Sequence, residues 1–396
     1  MVRVPVFSAA EIERIGDDAG AIAEALVSGG VARDAAVGWA VRTRSGWEVG
    51  VGRASAASPG ARRGGLVDPS PIFDLASLTK PMTAFALARS ARLDRADRLG
   101  AALEEARGTA SEDCSLELLL AHRAGLEAHV PLYLPLVSGA SVDPSSALRR
   151  AADSRRPDAG GPIPAEGFAP IYSDLGYALA GEALARAEGL RDAGEAIERL
   201  VIEALGRDDL GTARTLAARP SVDFARRVRP TEVVSWRGGE VRGAVHDENA
   251  WALTGTGGSG HAGMFGTIDA VLAFGVAALD AIERGDGPLS AGDLSWLVRR
   301  RPGGSLRAGF DGKSEIGSSA GERAGPRTFG HLGFTGTSVW IDPDADALVA
   351  VLTNRVHPTR DNVAIRAARP VAHDALFALA GARRGQDRMV GFHRGR

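Results

Sequence analysis

The amino-acid sequence predicts an α+β fold: an antiparallel sheet built from the N- and C-terminal segments and flanked by helices, with a largely α-helical region inserted. Three observations carry this. Alternating apolar residues occur early, at Val37, Trp39 and Val41 and again at Trp47, Val49 and Val51. They return only near the end, from Phe334 to Ile341 and from Leu348 to Thr353. Between about Lys80 and Leu210 the helical period dominates. Residues 1–75 plus 250–396 are therefore expected to form the sheet region, and residues 76–249 the mainly helical one.

Taken in order, Ser8 and Glu11 form a capping box for a first helix. That helix places Ile12, Ile15, Ala19, Ile22 and Leu26 on one face and ends near Gly29-Gly30. The two early runs flank a turn at Ser45-Gly46 and read as a hairpin of a sheet buried on one side. A loop rich in Ala, Ser, Gly and Pro leads to Phe73. Leu116 to Leu120 and Ile197 to Leu205 read as packed helices, and the stretch Arg156 to Pro170 interrupts the helical region. The late strands flank a turn at Asp342 to Asp346, and a last helix is expected to start near Pro370, where a proline ring is tolerated in the first turn.

Composition removes several classes of partner. The chain has 396 residues and a formal charge of −2 with both signs interspersed, so it lacks the electrostatic footprint of a nucleic-acid or anionic-membrane binder. Cys114, the single cysteine, excludes an internal disulfide and is expected to pack as a small apolar residue. The N-terminus opens an amphipathic helix instead of an apolar signal core, and the uncharged stretch Asn249 to Ile268 is broken by glycine and polar residues. A cytoplasmic protein is the expectation. No H-E-x-x-H or comparable spacing marks a metal site.

The chain holds 47 lysines and arginines, yet only Lys80 and Lys313 are lysine. A surface cation can be either residue, but only a lysine amine can readily lose its proton. Lys80 follows Ser77 by three positions, so on a helix both side chains share a face. Pro81 limits that helix to its first turn here, which sets free N–H groups and the positive helix end beside the serine. Taken alone, the tetrapeptide is equally a capped helix start with a surface lysine. Lys313, in a Gly- and Ser-rich stretch, reads as solvated.

Tyrosine is nearly as scarce, at Tyr133, Tyr172 and Tyr177. Tyr172-Ser173-Asp174 stands where the Pro- and Gly-rich loop meets a helix, with Ser173 at the N-cap and Asp174 in the first turn. A phenol at such a junction can reach a cleft and move a proton. The third cluster, His331 to Ser338, contains Gly333, and glycine in a strand admits a ligand close to the backbone. The N–H groups of Ser77 and Phe334 then become candidates for holding an oxyanion.

Together these three clusters resemble the β-lactamase and penicillin-binding-protein superfamily, in the branch of class C β-lactamases, esterases and D-amino-acid peptidases. Leu118 to Leu126, Val245 to Ala250, Gly260 to Phe265 and Leu352 to Pro358 are similar to that branch too, and the resemblance runs from about residue 35 to 380. It implies a β-lactamase/transpeptidase-like fold with its site in the cleft between the two regions, and an acyl-enzyme on Ser77 with Lys80 and Tyr172 as proton relay. The implied substrate is a small molecule with an ester, amide or lactam carbonyl, and no metal or organic cofactor is implied.

The departures from the pattern are informative. Asp174 replaces the usual asparagine; close to Lys80 it would keep the amine protonated and leave Tyr172 as the base. His331 stands where many relatives carry lysine, which weakens recognition of a substrate carboxylate or makes it depend on pH. Leu332 replaces a small hydroxyl residue at the cleft edge. Asp174, His331 and Gly333 are the expected substrate-binding positions, and the departures favour esters or small amides over a true β-lactamase or D-alanyl-D-alanine carboxypeptidase. A silent binding or regulatory module of the same fold is a further alternative. His122, His246, His261 and His357 are expected to be structural.

Overall fold

The computed structural model describes residues 18–57 and 70–393. The helix Ala19–Ser28 carries Ile22 and Leu26 into the core and is capped by the Asp18 side chain, which accepts the Gly20 N–H. Extended backbone at Asp18 starts this helix ten residues after Ser8. The capping box at Ser8 and Glu11, with Ile12 and Ile15, lies outside the described residues.

Eleven strands follow among the described residues: β1 Asp34–Thr43, β2 Gly46–Ser55, β3 Phe73–Asp74, β4 Leu210–Thr212, β5 Val233–Val234, β6 Gly239–Glu240, β7 Met264–Gly266, β8 Asp311–Gly312, β9 Phe329–Leu332, β10 Ser338–Asp342 and β11 Ala347–Thr353. The main sheet has the order β2-β1-β11-β10-β9-β8, so the expected union of both chain ends is borne out. Thr43 pairs with Gly46, which makes Arg44 and Ser45 the hairpin turn and shifts it one residue from its expected place.

This sheet is covered on both faces, not one. Ala36, Ala40, Leu348, Ala350 and Leu352 point to the side of the helix Ile268–Arg284. Val37, Val41, Val349, Val351 and Trp340 point to the helices Ala19–Ser28 and Ile365–His393. The alternation in β1 is between large and small apolar residues, and the small ones let a helix approach. A Cβ on Gly38 would stand only 2.7 Å from Leu272 Cδ1. The edge strand β2 alone keeps a half-exposed pattern in this hairpin.

Other expectations are corrected near the C-terminus. Phe334 opens a turn between β9 and β10 instead of a strand, because Gly336 takes a left-handed φ of 107° there. The last helix begins at Ile365, so Pro370 lies inside it and not in its first turn. Lys313 is not freely solvated: its ammonium donates to the Glu322 carbonyl at 3.0 Å and to that of Ala324.

The helical segments include Thr79–Arg89, Leu116–Leu120, Pro144–Asp153 and Asp174–Glu188, and Ala193 to Leu205 is helical through a wide turn at Glu198–Ile202. Phe85 ties the Thr79–Arg89 helix to the sheet side by edge contacts with Phe274 and Phe310, at 5.8 and 6.3 Å between centroids. A second small sheet, β3-β7-β4, brings Phe73–Asp74 beside Met264–Gly266. That pairing sets the start of the Ser77 turn. Cys114 is buried, and burial pushes its thiol up to about 12, as befits an inert core residue.

Gly52 measures how tightly the layers meet, because a Cβ there would overlap the Ala19 carbonyl. Gly52→Ala is expected to cost about 1–3 kcal/mol, read as a lower urea midpoint with unchanged slope. An unchanged midpoint would contradict this contact.

Candidate active site

Ser77 lies in the 3₁₀ turn Ala76–Leu78, immediately before the helix Thr79–Arg89. Ala76 adopts φ +48°, a left-handed conformation that costs an L-residue roughly 1–2 kcal/mol. Its N–H is held by Asp74 Oδ1 at 2.8 Å. One helical turn later Lys80 is 0% exposed, with its amine directed back at the serine. Lys80 Nζ stands 2.8 Å from Ser77 Oγ, 2.6 Å from Asp174 Oδ1 and 3.2 Å from the His261 carbonyl.

Tyr172 and Asp174 arrive from the start of the helix Asp174–Glu188. Ser173 occupies the N-cap, but its hydroxyl donates to the Glu127 carbonyl at 2.6 Å instead of capping. Its N–H donates to His122 Nδ1 at 3.0 Å, and the His122 ring stacks on Tyr172 with centroids 4.6 Å apart. Tyr172 leaves 36% of its surface open, and Lys80 Nζ stands 4.8 Å from its ring centroid.

Backbone meets backbone around this centre. A Cβ on Gly181 would lie 2.6 Å from Gly260 Cα, and one on Gly260 would overlap the Tyr177 carbonyl. Thr83 Oγ1 donates to the Gly260 carbonyl at 2.7 Å, and Met264 N–H donates to Thr79 Oγ1 at 3.2 Å. The loop carrying His261 is thereby pressed against the Lys80 helix. His261 Nε2 contacts Asp247 Oδ1 at 2.8 Å, and its Nδ1 contacts Ser259 Oγ at 3.0 Å.

Gly333 also makes room for a close approach within the chain. A Cβ there would overlap Thr337 Oγ1 and lie 2.6 Å from the Leu75 carbonyl, so the missing side chain admits the chain leading to Ser77. The Thr335 and Thr337 hydroxyls fasten that chain by donating to the Asp74 and Leu75 carbonyls at 2.8 and 2.9 Å. Phe334 is 50% exposed, and Arg355 holds its carbonyl through Nε at 2.9 Å and Nη2 at 2.7 Å. Among the described residues, neither the Ser77 nor the Phe334 N–H has an acceptor within the chain.

Charge is distributed unevenly. Burial alone would lower the Lys80 amine, but the Asp174 carboxylate and the Tyr172 hydroxyl outweigh it and hold the ammonium above its ordinary value. Burial also raises the Tyr172 phenol, and the Lys80 cation only partly reverses this. Both groups are protonated at neutral pH. Burial and the Lys80 charge push His331 down to about 3, and its Nδ1 lies 2.8 Å from the Leu332 carbonyl. A neutral ring agrees with the first of the two expectations for this residue, weaker recognition of a carboxylate, rather than with recognition that depends on pH.

A family model, Beta-lactamase, matches residues 22–373. The chain belongs to the β-lactamase family. A putative D-alanyl-D-alanine carboxypeptidase of Salmonella gallinarum is 36% identical over 121 residues, 29% of this chain and only 27% of that relative's length. A class C β-lactamase from Rhodobacter sphaeroides superposes with TM-score 0.62 at 17% identity, covering 91% of this chain and 98% of that one. EstCE1, a hydrolase with promiscuous acyltransferase activity, superposes with TM-score 0.63 at 19% identity, covering 93% and 100%. At such identities the two structures establish the β-lactamase fold. Among the described residues no helix is long and apolar enough to cross a membrane, and no three His, Cys, Asp or Glu side chains converge as a metal-ligating group.

In this β-lactamase-family chain, the structure gathers Ser77, Lys80, Tyr172 and Asp174 and places His331 beside the Tyr172 ring, 6.0 Å between centroids. Sequence reasoning did not foresee the work of Asp74 or of the segment His246 to Asn249. His246 N–H binds Asp74, Asp247 binds His261, and Asn249 Oδ1 accepts the Leu132 N–H. Four successive polar residues, His246 to Asn249, spanning the start of the helix Glu248–Thr254 were the available signal.

Burial holds His122 well below its ordinary value and brings His373, like His331, to about 3. Their imidazole signals are expected not to titrate between pH 8 and pH 5 in NMR spectra. Because the unfolded chain takes up these protons below about pH 6.5, stability is lost as pH falls from there towards 3. A midpoint near 6.5 for His331 would contradict the enclosed site.

Proposed function

We propose that this protein is a serine hydrolase that forms an acyl-enzyme through Ser77 with a small ester, amide or lactam. The observation that carries the reading is the convergence on Lys80 Nζ of Ser77 Oγ at 2.8 Å and Asp174 Oδ1 at 2.6 Å, with the Tyr172 ring centroid 4.8 Å from the same amine. Ser77, Lys80 and Tyr172 are the catalytic groups in this reading. The site occupies the cleft between the sheet region, residues 1–75 plus 250–396, and the mainly helical residues 76–249.

The protonation states select a relay. A lysine held as ammonium by a carboxylate is a poor base, so Lys80 acts as the cation that steadies developing negative charge. Tyr172, neutral at rest, accepts the Ser77 proton while its own phenolic proton passes to the leaving heteroatom. The Oγ–carbon bond forms as the carbon–heteroatom bond breaks. The free N–H groups of Ser77 and Phe334 hold the carbonyl oxygen during this step. Water then attacks the acyl carbon, the Oγ–carbon bond breaks, and a proton returns through Tyr172 to Ser77.

The substrate class follows from the walls. Asp174, His331 and Gly333 border the reacting carbonyl, and His331, neutral down to about pH 3, offers no ion pair to a substrate carboxylate. Ile171, Tyr172 and Phe334 are exposed apolar side chains next to these groups. Neutral esters and amides fit this setting better than penicillins or carboxylate-terminated peptides. The identity with part of a putative D-alanyl-D-alanine carboxypeptidase favours the second reading, cleavage of such a peptide.

Intact mass after treatment with an alkyl fluorophosphonate tests the nucleophile. The expected result is one adduct on Ser77, formed as fluoride leaves, and faster turnover of a p-nitrophenyl ester than of a chromogenic cephalosporin or an acyl-D-alanyl-D-alanine peptide. Tyr172→Phe is expected to lower kcat/KM for the ester by roughly 10²-fold or more. An unmodified Ser77 would favour the silent binding module, and near-normal turnover by Tyr172→Phe would remove Tyr172 from the relay.

A further inference from the structure

The backbone before Ser77 is pinned almost everywhere. Phe73 and Asp74 pair with Gly266 and Phe265, Leu75 N–H donates to the Met264 carbonyl at 2.9 Å, and two threonine hydroxyls hold the Asp74 and Leu75 carbonyls. Ala76 is the exception. It must take φ +48° to turn the chain into the Ser77 helix, and alanine has no polar side chain of its own to stabilise that conformation. Its N–H finds one partner, Asp74 Oδ1 at 2.8 Å.

Asp74 is an expensive residue to place there. It is 2% exposed, no lysine or arginine ion-pairs with it among the described residues, and burial raises its carboxyl above the ordinary range. Its two oxygens nevertheless face two N–H donors, Ala76 on Oδ1 and His246 on Oδ2 at 2.7 Å. A carboxylate accepts at both ends, whereas an asparagine would turn an NH₂ towards one of these donors. His246 is itself fixed: Nε2 contacts Glu232 Oε2 at 3.0 Å, and Arg360 Nε donates to the same carboxylate at 2.8 Å.

We propose that Asp74 is a positioning residue whose carboxylate, braced by the His246 N–H, holds Ala76 in its left-handed conformation and so delivers Ser77 Oγ to Lys80 and Tyr172. The proposal rests on the reading of Ser77 as nucleophile. Asp74 touches no reacting atom. Its effect passes through one backbone torsion, and glycine is the residue that adopts such a torsion without a carboxylate's help.

The test is a rescue. Purified wild type, Asp74→Asn and the double variant Asp74→Asn/Ala76→Gly are each treated with an alkyl fluorophosphonate, and the rate of Ser77 labelling is read by intact mass alongside Tm. Asp74→Asn is expected to label about 10²-fold more slowly, and adding Ala76→Gly to recover most of that loss while Tm stays at the level of Asp74→Asn. Labelling of Asp74→Asn at the wild-type rate, or no recovery in the double variant, overturns the proposal. Should Asp74→Asn fail to fold, Ala76→Val carries the test: it keeps both hydrogen bonds but resists positive φ, so labelling slows under the proposal and an unchanged rate overturns it. Failure of wild-type Ser77 to label at all would instead sink the nucleophile reading.

Discussion

The fully buried Lys80 ammonium is the constraint around which the site is arranged. A cation taken out of water must be repaid by close oxygen partners, and removing one partner of such a pair typically costs about 3–5 kcal/mol. Here the partners come from three places in the chain: Ser77 on the same helix turn, Asp174 on a second helix and the His261 carbonyl on a loop. Each needs its own support. Gly181 and Gly260 let the second helix and the loop touch without side chains between them, and Asp247 fixes the His261 ring.

The same constraint shapes the chemistry. Asp174 makes burial of Lys80 tolerable, but in doing so it holds the proton on the amine. In the proposed reaction proton movement then falls to Tyr172, whose ring lies 4.8 Å from the Lys80 amine and is partly exposed. The strain at Ala76 belongs to the same design, because the serine must leave the strand β3 and face backwards to the amine within three residues.

Much of the site was legible because the chain is poor in the residue types that matter. With two lysines and three tyrosines, Lys80 and Tyr172 had few competitors, and spacing tied Ser77 and Asp174 to them. Strand alternation likewise revealed β1, β2 and β11. The second covered face of the sheet was hidden because Ala36, Gly38 and Ala40 are small rather than polar. The extent of strand β9 was hidden because Gly330 and His331 break any alternation; Gly330 lies beneath Trp340, where a Cβ would come within 2.6 Å of the ring. The supporting contacts were illegible for another reason. Asp74 and His246 stand 172 positions apart, and no local pattern announces a pair at that distance.

The scarcity of lysine also gives the most direct measurement. With lysine amines labelled by ¹⁵N, the protein has two signals, and Lys313→Arg leaves Lys80 alone. The account predicts that Lys80 is an ammonium at neutral pH and titrates above the ordinary lysine range. A Lys80 that titrates near neutrality would contradict it, returning the role of base to the amine and leaving the ion pair with Asp174 without its consequence.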